Sequence, residues 1–196
     1  MRIAFFHEPI IDTPQLSQLS QFISRAPKLK TPDEARVVFY DREVSVALPL
    51  PKTNDVPPLK LGISYKQTEL HLSPLARVCG SSFPQDFLLA LKHLDIIWKL
   101  GGSDDSEVIE NSEWLELLRP FTAVKSLYIS EEAVPRIAPA LQELVGERVL
   151  PALETLTLYK STSGPIQEGI ARFVSARQLA GHPIAISYES GYNGLY

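Results

Sequence analysis

Leu91-Lys92-His93-Leu94-Asp95-Ile96 is the stretch on which the fold turns. Its LxxLxL pattern returns as Val124-Lys125-Ser126-Leu127-Tyr128-Ile129 and again as Leu153-Glu154-Thr155-Leu156-Thr157-Leu158. Weaker copies keep the last two apolar positions, at Leu61 and Ile63 and at Ile184 and Ile186. The final apolar positions fall at 63, 96, 129, 158 and 186, with spacings of 33, 33, 29 and 28 residues. A near-constant period in this range marks stacked supersecondary units, none of which can bury both of its apolar faces alone.

Helical patterns fill the intervals. Over 69–80, Leu72, Leu75, Ala76 and Cys79 lie at i, i+3, i+4 and i+7, with Pro74 setting the earliest regular turn. Over 111–121, Trp114, Leu115, Leu117 and Leu118 share a face and Pro120 stops the helix. Over 134–146, Ile137, Ala138, Leu141, Leu144 and Val145 face inward, Pro139 interrupts and Gly146 ends the run. A fourth helix opens at Gly164-Pro165, buries Ile166, Ile170, Phe173 and Val174, and closes at Gly181. Glu168 early and Arg177 late suit its dipole.

The first third is less regular. Ile3 to Phe6 reads as a strand and Gln15 to Arg25 as a helix. Arg36–Tyr40 and Val44–Leu48 alternate around Asp41-Arg42-Glu43 as a hairpin, and Pro49 to Pro58 is a connection. The expected fold is α/β: one domain over 1–196, an irregular leucine-rich-repeat-like solenoid with parallel strands on one face and helices on the other. Residues 1–58 form its irregular N-terminal part with the hairpin as cap, 59–190 the repeats and 191–196 a tail. A doubly wound sheet also alternates strands and helices, but nothing in it requires one leucine spacing to recur.

Composition narrows the function. Nineteen Lys and Arg against 23 Asp and Glu give a net charge of −4, which lacks the positive field that nucleic acid or an anionic membrane selects. The single cysteine excludes an intrachain disulfide and a Cys-based zinc cluster, and points to a reducing, intracellular setting, cytoplasmic or nuclear. The most apolar stretch, 87–98, is broken by Lys92, His93 and Asp95. It falls well short of the ~20 residues a membrane span needs.

Catalytic and cofactor motifs are absent. His7, His71, His93 and His182 share no metal-ligand spacing, and HExxH, GxGxxG, GxxxxGK[ST] and GxSxG do not occur. Gly101-Gly102-Ser103 precedes Asp104, Asp105 and Glu107, which would repel a phosphate. Cys79 lies on an apolar helix face and reads as a buried, inert thiol. No cofactor or metal is expected.

What the pattern does create is a surface. With the leucines inward, the alternating residues point out. They form three columns: Lys60, His93, Ser126 and Thr155; Gly62, Asp95, Tyr128 and Thr157; Ser64, Ile97, Ser130 and Tyr159. Tyrosines among Asp, Ser and Thr on a rigid curved sheet suit a protein partner, as anchors in a polar surround. The expected partner-binding residues are therefore His93, Asp95, Ile97, Ser126, Tyr128, Ser130, Thr155, Thr157 and Tyr159, with Tyr128 and Tyr159 the leading anchors. Self-association through an uncapped N-terminal end is a second expectation.

Four phrases, DTPQLSQLSQFISRAPKLKTPDEARVVFYD, NSEWLELLRPFTAVKSLYIS, RIAPALQELVGERVLPALETLTL and SGPIQEGIARFVSARQLAGHPIAIS, resemble the leucine-rich-repeat-like C-terminal regions of F-box proteins from mushroom-forming fungi. The resemblance covers nearly the whole chain. It implies a substrate-recruiting arm of a ubiquitin ligase, here without an LPxEI-like F-box segment ahead of Met1-Arg2-Ile3. Two alternatives stand beside it. One is a small hydrolase with a pocket drawn from His71, His93, Cys79, Asp95 and Ser126; the other is a truncated paralogue with no independent role.

Overall fold

The structure is a computed structural model that describes residues 2–6, 21, 33–40, 43–48, 59–64, 72–99, 109–143, 149–159 and 165–189. The strands are β1 (Arg2–Phe6), β2 (Glu34–Tyr40), β3 (Glu43–Leu48), β4 (Leu59–Ser64), β5 (His93–Trp98), β6 (Ser126–Ile129), β7 (Thr155–Tyr159) and β8 (Ala185–Glu189). The described helices are α1 (Ser73–Ser82), α2 (Gln85–Ala90), α3 (Asn111–Leu118), α4 (Val134–Glu143) and α5 (Pro165–Leu179). All eight strands join one open sheet in the order β1-β4-β3-β2-β5-β6-β7-β8. The pairs within β5 to β8 are parallel, as are β2·β5 and β1·β4; only β2·β3 and β3·β4 are antiparallel. The chain is thus α/β with a mostly parallel sheet.

The leucine pattern becomes a ladder. Leu94 stands beside Leu127, Leu127 beside Leu156, and Leu156 beside Ile186. The next row runs Val37, Ile96, Ile129, Leu158. The first positions of the pattern, Leu91, Val124 and Leu153, are buried with them. Burying a leucine or isoleucine side chain stabilises by about 1.5–3 kcal/mol. Two such rows shared by consecutive strands supply a continuous apolar floor.

Strand entry repeats as well. The amides of Lys92 and His93 both donate to the Asp33 carbonyl, those of Lys125 and Ser126 to Lys92, and those of Glu154 and Thr155 to Lys125. Ala185 repeats the step onto Glu154. One carbonyl therefore anchors the start of each following strand, which satisfies backbone groups that would otherwise be left at a layer boundary.

The helices pack on one side of this floor. Leu75, Val78 and Cys79 of α1, Trp114, Leu117 and Leu118 of α3, Ile137 and Leu141 of α4, and Phe173 of α5 share a core with the inward strand residues. Neighbouring helices touch in the order α1, α3, α4, α5. Phe39 stacks on Trp98 at 4.6 Å between centroids and tilts against Trp114 at 5.4 Å, which joins the hairpin to the leucine ladder. Helix α3 ends before Pro120, and Gly181, at φ +80, follows α5, both as the sequence indicates. Pro139 sits inside α4 on its exposed side. Helix α2 was not expected, because its six residues lie inside an apolar stretch too short to show a helical period.

Two expectations change. The hairpin forms, with Tyr40 opposite Glu43, but it is not a cap. It lies in the middle of the sheet, β3 against β4 and β2 against β5, and the edges are β1 and β8. The physical reason is that these strands are buried on both faces: Val37 and Val46 toward the helices, Val38 and Ser45 toward the other side. A strand of that kind belongs between two others. Consequently β4 does not adjoin β5, and the run of consecutive parallel neighbours spans 93–189 rather than starting at residue 59. The expected helix at 15–25 (Gln21 apart), the 49–58 connection, His7, His71, the 101–107 loop, Leu144 to Gly146 and the 191–196 tail lie outside the described residues.

One buried cation holds the α4–β7 connection. Arg177 of α5 is only 7 % exposed, and its Nη2 donates to the carbonyls of Leu150, Pro151 and Leu153 at 3.3, 3.4 and 3.5 Å. Burial lowers the Arg177 pKa, an energetic cost of placing the guanidinium there. Leu150 adopts φ +49, a left-handed conformation unfavourable for a branched side chain, while its side chain is buried. Arg177→Met keeps most of the apolar stem but strands those carbonyls. It is expected to cost about 2–3 kcal/mol in urea unfolding, and a loss below about 0.5 kcal/mol would show that the carbonyls do not depend on it.

Candidate functional site

The sheet face opposite the described helices carries two polar rows in register. One runs Glu34, His93, Ser126, Thr155, Ala185; the other runs Arg36, Asp95, Tyr128, Thr157, Ser187. Alternation places them there: each stands next to a residue locked into the core, so the strand has only the other face for its polar side chain. His93 is exposed, and Ser126, Tyr128, Thr155 and Thr157 are half-buried.

Charge concentrates where β2 meets β5. Arg36 Nε lies 2.7 Å from Glu34 Oε1 and 3.0 Å from Asp95 Oδ2, so one guanidinium bridges two carboxylates on adjacent strands. The Asp95 carboxyl is raised from 3.8 to about 6, first by burial and then by the charge of Glu34, with Arg36 opposing both. Further along, Thr157 and Ser187 share a hydroxyl hydrogen bond of 2.8 Å. On the hairpin side, Lys60 Nζ is 3.1 Å from Glu43 Oε1 and 4.4 Å from the Tyr40 ring centroid. The face therefore combines hydroxyls, the tyrosines Tyr40 and Tyr128 and internally paired charges on a rigid sheet.

Six expected residues come together here: His93, Asp95, Ser126, Tyr128, Thr155 and Thr157. Tyr159 lies in β7 opposite Glu189, and its side chain is outside the described set. Ile97 and Ser130 are corrections, because both are buried. Ile97 neighbours Val38 of β2, which gives it an apolar flank instead of solvent. Ser130 is structural: its Oγ accepts from the Trp98 amide at 3.0 Å while its own amide donates to the Ile96 carbonyl. Lys60 and Gly62 also move. Lys60 is in the row of Ala47, Arg36 and Asp95, and Gly62 in the row of Ser45, Val38 and Ile97, each one row from its expected place. Ser64 stands opposite Glu43, beyond the end of the Ile97 row.

Glu34, Arg36 and Ser187 were missed. Their alternation with Ala35, Val37 and Ile186 is readable in the sequence. That β2 adjoins β5 is not, since residues 41–92 and two strands intervene between them in the chain's order.

Of the residues proposed for a hydrolase, His93, Asp95 and Ser126 share the open face, Cys79 is apart from them, and His71 lies outside the described residues. Cys79 is in the helix-side core, and burial pushes its thiol up to about 12, where it is no nucleophile. Asp95 and Ser126 face the other side of the sheet. Glu34 and Asp95 are tied through Arg36 rather than placed across an open gap. Among the described residues no three His, Cys, Asp or Glu side chains group as metal ligands, and no helix is long and apolar enough to cross a membrane. Comparison with protein-family models, curated proteins and solved structures finds nothing that matches this chain.

Proposed function

We propose that this chain is a non-catalytic protein-recognition module, an irregular leucine-rich-repeat-like array that holds a protein partner on the open face of its sheet. The observation that carries the reading is the pair of polar rows in register across β2, β5, β6, β7 and β8, on the side away from the described helices. A rigid sheet fixes the spacing of Asp95, Tyr128 and Thr157 before a partner arrives, which lowers the ordering cost of binding. Tyr128 supplies an amphipathic anchor and the hydroxyl rows supply the polar surround. The resemblance to the recognition arms of fungal F-box proteins agrees with this reading and suggests a ubiquitin-ligase setting in which this face holds the substrate.

The test replaces Asp95, Tyr128 and Thr157 together by alanine and compares quantitative affinity capture from native extract with that of the unaltered chain. Partners held by this face are expected to fall at least tenfold, since removing a cluster of central anchors costs more than about 1.4 kcal/mol. Arg172→Ala, on the exposed side of α5, is expected to retain them. Partners unchanged by the triple substitution would overturn the reading.

A further inference from the structure

The parallel array ends at β8, which pairs with β7 on one side and with no described strand on the other. The Ala185 amide donates to the Glu154 carbonyl, so Ala185, Ser187 and Glu189 turn their backbone groups toward β7. By alternation, the amides and carbonyls of Ile186 and Tyr188 point out of the open edge. The apolar rows also lose their cover here. Tyr188 continues the row of Ile96, Ile129 and Leu158, yet it is 49 % exposed where Leu158 is 1 % exposed. Ile186 ends the row of Leu94, Leu127 and Leu156 and is half-buried where they are fully buried. Edges that stay free in solution are commonly blunted by lysine, proline or a bulge. Ala185–Glu189 contains neither Lys nor Pro, and its register with β7 runs unbroken over all five residues.

We infer that β8 pairs antiparallel with β8 of a second copy of this chain, about a twofold axis at Ser187. In that register every residue of each strand has a partner. Ile186 of one copy stands opposite Tyr188 of the other, twice, on the helix side. These are the residues whose backbone groups are free, so each such pair exchanges two hydrogen bonds. A β-branched side chain beside an aromatic ring is also a favourable cross-strand pair. Ser187 meets its own copy on the open side, and Glu189, the only charged residue of the strand, stands opposite Ala185. A one-residue slip would set Ile186 opposite Ser187 and lose the apolar pairing. A two-residue slip in either direction would leave two residues of each strand without a strand partner. A second copy thus brings the complement of this edge by symmetry. The twofold keeps the helices of both copies on one side and runs the row of Asp95, Tyr128, Thr157 and Ser187 on into its copy. The inference stands apart from the recognition role given to that face.

The test is sedimentation velocity of the full chain at concentrations up to about 1 mM, where a reversible monomer–dimer equilibrium is expected. Ile186→Pro removes an outward amide and leaves the β7 ladder intact, as an edge position allows. Tyr188→Lys places a charge opposite Ile186. Each is expected to raise the dimer dissociation constant at least tenfold. Leu89→Lys, at an exposed apolar site on α2, is expected to leave it unchanged. An unchanged circular dichroism spectrum confirms the fold of each variant. The register is read by cross-linking with diamide. Ser187→Cys is expected to form a covalent dimer, since a non-hydrogen-bonded pair brings its Cα atoms to about 4.5 Å. Ala185→Cys is expected to form none, its two copies lying more than about 10 Å apart along the strands. Cys79 is buried and does not compete. A monomer at every concentration, or dimerisation indifferent to both edge substitutions, would overturn the inference. So would failure of Ser187→Cys to cross-link, or equal cross-linking at 185. Growth beyond a dimer would overturn it as well, by assigning β8 to the β1 edge of the next copy in an open chain.

Discussion

Leu127→Ala is expected to cost about 3–4 kcal/mol of stability, from the middle to the upper part of the range for buried leucines. The side chain is fully buried in the central member of the Leu94, Leu127, Leu156, Ile186 row, with sheet on both sides and helices above. A backbone paired to both neighbouring strands cannot collapse into the space left behind, so the cavity term stays nearly whole. In a chain of 196 residues this corresponds to a fall in melting temperature of roughly 10 °C. Leu156→Ala, next in the same row, should cost a similar amount. Because the two side chains share one stretch of core, the double variant is expected to lose less than the sum of the singles, with a coupling of about 0.5 kcal/mol or more. Additive losses, or a Leu127→Ala cost under about 1 kcal/mol, would show that the row is not the shared floor described here.

The row was legible in the sequence because it depends on two short-range facts: which residues are apolar, and how many positions separate the copies. Leu94, Leu127 and Leu156 need no knowledge of distant chain to be placed. The caps of α3 and α5 are legible for the same reason, since Pro120 and Gly181 act within one turn. The position of the hairpin was not. Val44 and Val46 say that β3 is a strand with a buried face, but the choice between lying at the sheet's end and lying at its centre depends on what covers Val38 and Ser45. That is a long-range matter. The same gap displaced Lys60 and Gly62 by one row and hid Glu34 and Arg36 from the candidate site.

Burial of individual face residues was likewise outside the reach of alternation. The period of two correctly turns Ile97 and Ser130 away from the leucine rows, yet it says nothing of how far solvent reaches. Ile97 sits next to Val38, and Ser130 spends its hydroxyl on the Trp98 amide. Both belong to the scaffold of the face rather than its contact surface. The open sheet is accordingly richest in polar contact groups in the two rows of His93 and Asp95, and poorest in the row that Ile97 and Gly62 occupy.

Asp95→Asn is expected to change the pH dependence of stability by up to about 3 kcal/mol. The folded chain holds the Asp95 proton up to about pH 6, while an unfolded chain releases it near 3.8. Between those values the folded state binds more protons than the unfolded state, so the contribution of Asp95 is fully present below pH 3.8. It is lost as pH rises through 6. The size of the interval corresponds to about 3 kcal/mol at 1.36 kcal/mol per decade. Above pH 6 the carboxylate is ionised beside Glu34, partly buried and sharing one guanidinium. Asparagine carries no charge there and has no such step, though it gives up the ionic part of the Arg36 contact at every pH where Asp95 is charged. The difference in unfolding free energy between Asp95→Asn and the unaltered chain should therefore move in favour of the variant between pH 3.5 and pH 7.5. Urea unfolding at intervals of half a pH unit measures it, and the comparison cancels the titration of all other carboxylates. Parallel profiles for the two chains would mean that Asp95 ionises in the folded protein as it does in the unfolded one. The bridged carboxyl pair would then be a solvated surface contact, and the most distinctive electrostatic feature of the open sheet face would be gone.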